Sequence, residues 1–129
     1  GVAQSYTRAV FLWERAAKQG DAESQHNLGY AFKNGLGVAR DPGRAEHWYR
    51  LAAEQGVAEA QGILGLMCAH GETGAIDYVE AHMWFSLSAA VGNQAAAANL
   101  KYAETLMSGE QISAAKQRAI EWMESFRNR

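Results

Sequence analysis

Ala45-Glu46-His47-Trp48-Tyr49-Arg50-Leu51-Ala52-Ala53-Glu54-Gln55-Gly56 decides how the chain is read, because its pattern returns at a fixed distance on both sides. Thirty-six residues earlier stand Ala9, Leu12, Trp13, Ala16, Ala17 and Gly20; thirty-six later stand Ala81, Trp84, Phe85, Ser88, Ala89 and Gly92. A second set keeps the same offset: Leu28-Gly29, Leu64-Gly65, and Leu100 followed by Lys101. Self-similarity near this length marks a stacked array of helix pairs, in which each unit buries its apolar face against the next. Such an array builds a surface, so the first expectation is that it holds a partner.

Within each copy the spacing is helical. Ala9, Leu12, Trp13, Ala16 and Ala17 form one stripe at intervals of three and four, which predicts a buried face on a helix over 5–19. Gly20 stands where a helix usually ends, and Asp21 is placed to cap a second helix over 22–34 with the stripe Gln25, Leu28, Gly29 and Phe32. Asp41-Pro42 reads as a cap followed by proline at the first helical position, opening a helix to Gln55. The next pair covers 57–70 and, after Asp77, 78–91; then comes 93–107, and Ser108 with Gln111 forms a capping box for a closing helix over 109–126. That helix carries Ile112, Ala115, Ala119, Trp122 and Phe126. With one proline and no long apolar–polar alternation, strands are not expected. Gly29 and Gly65, each inside a helix, predict close helix crossing with Trp48 or Trp84 across the gap.

These elements, Leu28-Gly29-x-x-Phe32-x-x-Gly35-x-Gly37-Val38-x-x-Asp41 followed by Ala45, Trp48, Tyr49, Ala52, Ala53 and Gly56, closely resemble the Sel-one-like repeat family, relatives of the tetratricopeptide repeats. The second unit departs from it: Cys68 stands where an aromatic is usual, and Gly71-Glu72-Thr73-Gly74 replaces the Gly-x-Gly-Val loop. The resemblance implies an all-α fold, a right-handed superhelical solenoid of antiparallel helix pairs that serves as a scaffold or adaptor for other proteins. One domain over 1–129 is expected: residues 1–20 as the second helix of a truncated unit, repeats over 21–56 and 57–92, and a divergent capping unit over 93–129. The closing stretch looks most like bacterial members. One subfamily is stapled by a cysteine pair in each repeat, a device that a chain with the single Cys68 does not share.

Composition narrows the rest. A formal charge of −2 over 129 residues, with Lys and Arg scattered, lacks the basic field of a nucleic-acid binder. No segment approaches the ~18 consecutive apolar residues of a membrane span. The compartment is left open. No catalytic residue, metal or cofactor is expected. His26, His47, His70 and His82 lack ligand spacing and read as exposed or hydrogen-bonding; Cys68 and His70, two apart on a helix, point in different directions. Cys68 reads as a small core residue. Glu14, Glu46, Glu54, Glu80, Glu104, Glu121 and Glu124 read as mostly solvated, with no pair nominated for acid–base work. The four tryptophans read as core anchors.

The resemblance puts the first helix of each unit on the concave face, where partners dock. At the 36-residue offset its rungs are Asn27, Ile63 and Asn99; Tyr30, Leu66 and Tyr102; and Asn34, His70 and Leu106. Tyrosine with asparagine suits recognition of a peptide or protein. The competing reading is that Ile63, Leu66 and Leu106 only widen the core, and both stand at this point. Two other functions remain open: a cell-envelope enzyme or accessory factor acting on peptidoglycan-type substrates, and a structural spacer in a larger protein. The truncated first unit also predicts apolar surface that a second copy would cover by self-association.

Overall fold

The computed structural model describes the backbone of residues 1–129 and every side chain but that of Ala3. The described residues form seven α-helices and no strand: α1 (Val2–Lys18), α2 (Ala22–Asn34), α3 (Pro42–Glu54), α4 (Ala58–His70), α5 (Tyr78–Ala90), α6 (Gln94–Glu104) and α7 (Gly109–Arg127). The fold class is all-α helical repeat. α1 starts three residues earlier than the stripe suggested, and α6 stops three earlier. The chain divides into two compact units, Gly1–Ala60 and Gln61–Arg129.

Side chains fix the starts of five helices; four of these caps are legible in the sequence, and the fifth, Asn93, falls inside the helix expected over 93–107. Asp21, Asp41, Asp77, Asn93 and Ser108 each accept from the backbone N–H three residues on, at Ser24, Arg44, Glu80, Ala96 and Gln111. At α7 the box is reciprocal, since the Gln111 side chain accepts from the Ser108 N–H at 2.9 Å. Both long loops close the same way despite different sequences. The Asp41 N–H donates to the Phe32 carbonyl at 2.8 Å, and the Asp77 N–H to the Cys68 carbonyl at 3.0 Å. The loop residues are therefore free to differ while the next cap lands in the same place. In the first loop Gly37 has φ +73°, and a Cβ there would stand 2.6 Å from the Tyr6 carbonyl carbon, so only glycine fits.

In the first unit α2 packs on α1 and on α3. Its core holds Val10, Ala17, Leu28, Ala31, Phe32, Ala45, Tyr49, Ala52 and Ala53. The one buried amide side chain there is satisfied: Gln25 donates to the Ala17 carbonyl at 3.2 Å and accepts from Gln55, whose other bond goes to the Gly20 carbonyl, both at 2.9 Å. In the second unit α5 packs on α6 and α7, around Leu64, Met67, Met83, Trp84, Phe85 and Leu87. Trp122 of α7 stands edge-on to Trp84 with centroids 6.0 Å apart, and Phe126 stacks on Trp122 at 4.9 Å.

The close crossings exist, but Tyr49 and Phe85 occupy them, not Trp48 and Trp84. A Cβ at Gly29 would lie 2.8 Å from the Tyr49 ring, and one at Gly65 2.6 Å from Phe85 Cε1. Helical angle explains the correction. At 100° per residue, position 49 falls between Ala52 and Ala53 at the centre of the stripe that begins at Ala45, whereas Trp48 lies on its flank, half-buried. The same shift corrects α1: Leu12, on the flank, is 55% exposed, and Val10 with Ala17 carries the buried face. Glu80 and Glu104, expected in solvent, are half-buried and hydrogen-bonded.

Two predictions follow from this packing. Gly65→Ala should lose up to about 2 kcal/mol, since overpacking costs about 1–3 kcal/mol and the helix gains only ~1 kcal/mol from alanine. Gly74→Ala, with nothing within 4 Å of the added carbon, should melt like the parent; equal melting of all three in thermal denaturation would contradict the close crossing. The second concerns Asp21, whose carboxyl is held below its ordinary 3.8 by bonds from the Ser24 hydroxyl and backbone N–H. Because the folded value is depressed, its stabilisation is present above 3.8 and disappears as pH falls through the lower folded value. Asp21→Asn should therefore melt below the parent at neutral pH, with the gap narrowing once the pH drops under 3.8.

Candidate functional site

In the second unit, α4, the first two turns of α5 and α6 enclose a cavity of about 280 Å³. α4 contributes Leu66, Ala69 and His70; α5 contributes Tyr78 and Phe85; α6 contributes Asn99, Tyr102 and Ala103, with Leu106 just beyond its C-terminal end. The spacing on α4 and α6 is that of one helical face, three and four residues apart, so a single side of each helix forms a wall. Phe85, itself buried by its contact with Gly65, supplies the floor. Asn99, His70 and the two tyrosines supply polar atoms along the rim. No lining residue is Lys, Arg, Asp or Glu, so the cavity carries no fixed charge.

Five residues expected from the rungs, Leu66, His70, Asn99, Tyr102 and Leu106, meet in this cavity. Ile63, one turn earlier on α4, is half-buried and outside its lining. The first-unit members lie on α2: Asn27 is half-buried, Tyr30 is 50% exposed, and Asn34 is exposed with its amide donating to the Tyr30 carbonyl at 3.0 Å. Tyr78, Ala69, Phe85 and Ala103 were missed. Tyr78 occupies the position of Pro42 at the 36-residue offset, so the repeat gives no tyrosine signal there. Ala69 and Ala103 carry no chemistry that would single them out, and Phe85 was read only as core.

The groups with chemical potential elsewhere are occupied by structural bonds. Cys68 is buried, and its thiol donates to Oε2 of Glu80 at 3.5 Å; the Trp84 indole N–H donates to the same oxygen at 3.2 Å. His26 faces Tyr49 edge-on and reaches Glu59 through Nε2 at 3.4 Å. His47 rests on the Trp48 ring. Ser86, His82 and Glu104 follow one another in the order of a nucleophile, base and orienting acid. The Ser86 Oγ, however, lies 3.5 Å from His82 Nδ1, at the outer limit of a hydrogen bond, and the imidazole is enclosed away from any substrate. No three His, Cys, Asp or Glu side chains among the described residues cluster as a metal site, and no helix among them is long and apolar enough to cross a membrane.

Comparison with known proteins agrees with the repeat pattern. The Sel1 repeat profile matches residues 1–21, 22–57, 58–93 and 96–126. Two solved structures are similar. One is c5321, a protective antigen present in uropathogenic Escherichia coli strains and displaying an SLR fold, with 31% identity and a TM-score of 0.93 over 98% of this chain and 27% of that one. The other is a Sel1 repeat protein from Oxalobacter formigenes, with 34% identity and a TM-score of 0.70 over 73% of this chain and 39% of that one. The chain thus spans less than half the length of either relative. The curated proteins contain no match. Sel1 repeats are generally modules of protein–protein interaction, and their fold is typically non-catalytic. Helix order, caps, glycine crossings and the four matched segments converge: the chain belongs to the Sel1 repeat family.

Proposed function

We propose that this chain is a protein-binding scaffold and that the cavity among α4, α5 and α6 receives an apolar side chain from an extended segment of its partner. One observation carries the reading: an apolar floor ringed by hydrogen-bonding groups without fixed charge, at the place where the repeat register aligns Leu66, His70, Asn99 and Tyr102. At about 280 Å³ it lies just below the ~300–1,000 Å³ range of pockets that engulf a small-molecule ligand, and suits a side chain whose backbone runs across the rim. Asn27, Tyr30 and Asn34 offer the same kind of surface on α2 in the first unit. Neither the enzyme nor the spacer alternative gains a specific observation. Glu80 and Glu104, both half-buried, are bonded to Trp84 and Cys68 and to His82 respectively.

Tyr30 and Tyr102 are 50% and 67% exposed, so replacing either with alanine should leave thermal stability within about 0.5 kcal/mol. The double variant should bind the partner captured from the source cell about thirtyfold more weakly, the scale of a lost interface tyrosine. Melting checks the first number and titration by calorimetry the second; unchanged affinity would remove the groove from the binding surface.

Self-association also draws on a specific feature. Val2, Phe11 and Leu12 of α1 are exposed to 74%, 60% and 55%. Val2 lies nine residues from Phe11, on the opposite side of the helix, but Phe11 and Leu12 are adjacent and form the exposed apolar surface that a second copy would cover. Sedimentation should show mass rising with concentration, and Phe11→Glu should return the chain to a monomer. A monomer at all concentrations would dispose of the idea.

A further inference from the structure

His82 lies in the middle of α5 with 1% of its surface exposed, and the function proposed above makes no use of it. Its Nε2 stands 2.8 Å from Oε2 of Glu104, the last residue of α6. Its two helical neighbours on the next turn make different contacts: Phe85 lines the groove, and Ser86 approaches Nδ1 at 3.5 Å. Glu104 in turn sits among Tyr102, Ala103 and Leu106, three lining residues of the α6 wall. We propose that the His82–Glu104 pair is a positioning brace that holds the C-terminal turn of α6 against α5 and so sets the shape of the groove; this rests on the groove being the binding surface.

Three independent features of α6 support the assignment. The helix is only 11 residues long, and its buried side chains are two alanines, Ala96 and Ala103. Helices of this length are marginal by themselves, and two methyl groups give little apolar hold on a neighbour. Some other contact must therefore fix where the helix lies. Next, Glu104 ends α6, where the carbonyl-rich pole of the helix disfavours an anion. An acid in that position is explained by what it reaches, not by the helix that carries it. Finally, the imidazole is sealed from water, so without Glu104 its Nε2 would be a buried group lacking its short, charge-assisted bond. Any tautomer or protonation state with a hydrogen on Nε2 donates to the carboxylate, so the brace does not need a particular charge on the ring.

Amide hydrogen exchange of the whole chain tests the brace without any ligand. Glu104→Ala should speed exchange along α6 about tenfold, the effect on a local opening equilibrium of losing one bond to a charged group, while α2 and α3 stay unchanged. Glu104→Gln keeps an oxygen at the same reach and should retain protection. Glu104→Asp keeps the charge but withdraws it by one methylene, and should behave like alanine. Equal exchange in the parent and Glu104→Ala, or loss of protection in Glu104→Gln but not Glu104→Asp, would overturn the brace. The link to binding is read by titrating N-acetyl-leucine methylamide and following amide shifts of Leu66 and Tyr102. The parent should respond, Leu66→Arg should not, and Glu104→Ala should bind several-fold more weakly with Glu104→Gln restored. No response from the parent overturns the groove itself, and with it the role assigned to the brace. A parent response that Glu104→Ala reproduces at full strength overturns the brace alone.

Discussion

A glycine in one helix pressed against an aromatic ring in the next is the contact on which the rest of the molecule depends. At Gly29 the ring is Tyr49; at Gly65 it is Phe85; in both the absent side chain is replaced by the face or edge of a buried ring. The arrangement trades helix propensity, about 1 kcal/mol for each glycine, for a close approach that packs one large ring deeply. Once the two axes are that near, small residues are required around the ring, and Ala45, Ala52 and Ala53 beside Tyr49 meet that demand with no exposed surface. The repeated alanines of the sequence are thus the consequence of one crossing, applied in each unit by itself.

The repeat period made the element order, the caps and the loops legible, because each depends on local chemistry that sequence displays directly. Asp21, Asp41, Asp77 and Ser108 cap their helices as their residue types require. The error at Trp48 and Trp84 has a different origin. Two adjacent aromatics both satisfy a spacing of three or four from their neighbours, and size favours tryptophan as the anchor. Only the angle around the helix, measured against Ala52 and Ala53, puts position 49 at the centre. Leu12 misled for the same reason, since it occupies the flank position that Trp48 and Trp84 fill elsewhere.

The candidate site was partly legible for a related reason. Rung residues on α4 and α6 are found by adding the period, so Leu66, His70, Asn99 and Tyr102 could be aligned before their cavity was seen. Residues that reach the cavity from α5 could not, because the second helix of a unit was read as core throughout. Phe85 serves both roles at once: one part of its ring closes on Gly65 while another floors the groove. Nor could spacing reveal the bonds of Glu80 and Glu104. Their partners, Cys68, Trp84 and His82, are set by which side chains the packing leaves unsatisfied, and that is a property of three dimensions.

The divergence of the last unit explains why the groove lies where it does. At the position of Gly29 and Gly65, α6 carries Lys101, which is exposed. A lysine there cannot accept a ring against the backbone, so α6 offers no glycine seat of the kind that holds Tyr49 and Phe85. α7 instead gains its anchor on α5, through Trp122 against Trp84. With the glycine crossing absent, α6 buries only Ala96 and Ala103, and Tyr102, like Leu106 just past its end, is exposed. A helix seated that lightly leaves space between its face and α4 that no side chain of the unit fills. Without a glycine seat, α6 borders an open recess that carries no fixed charge, and its Glu104 end is bonded to His82 of α5.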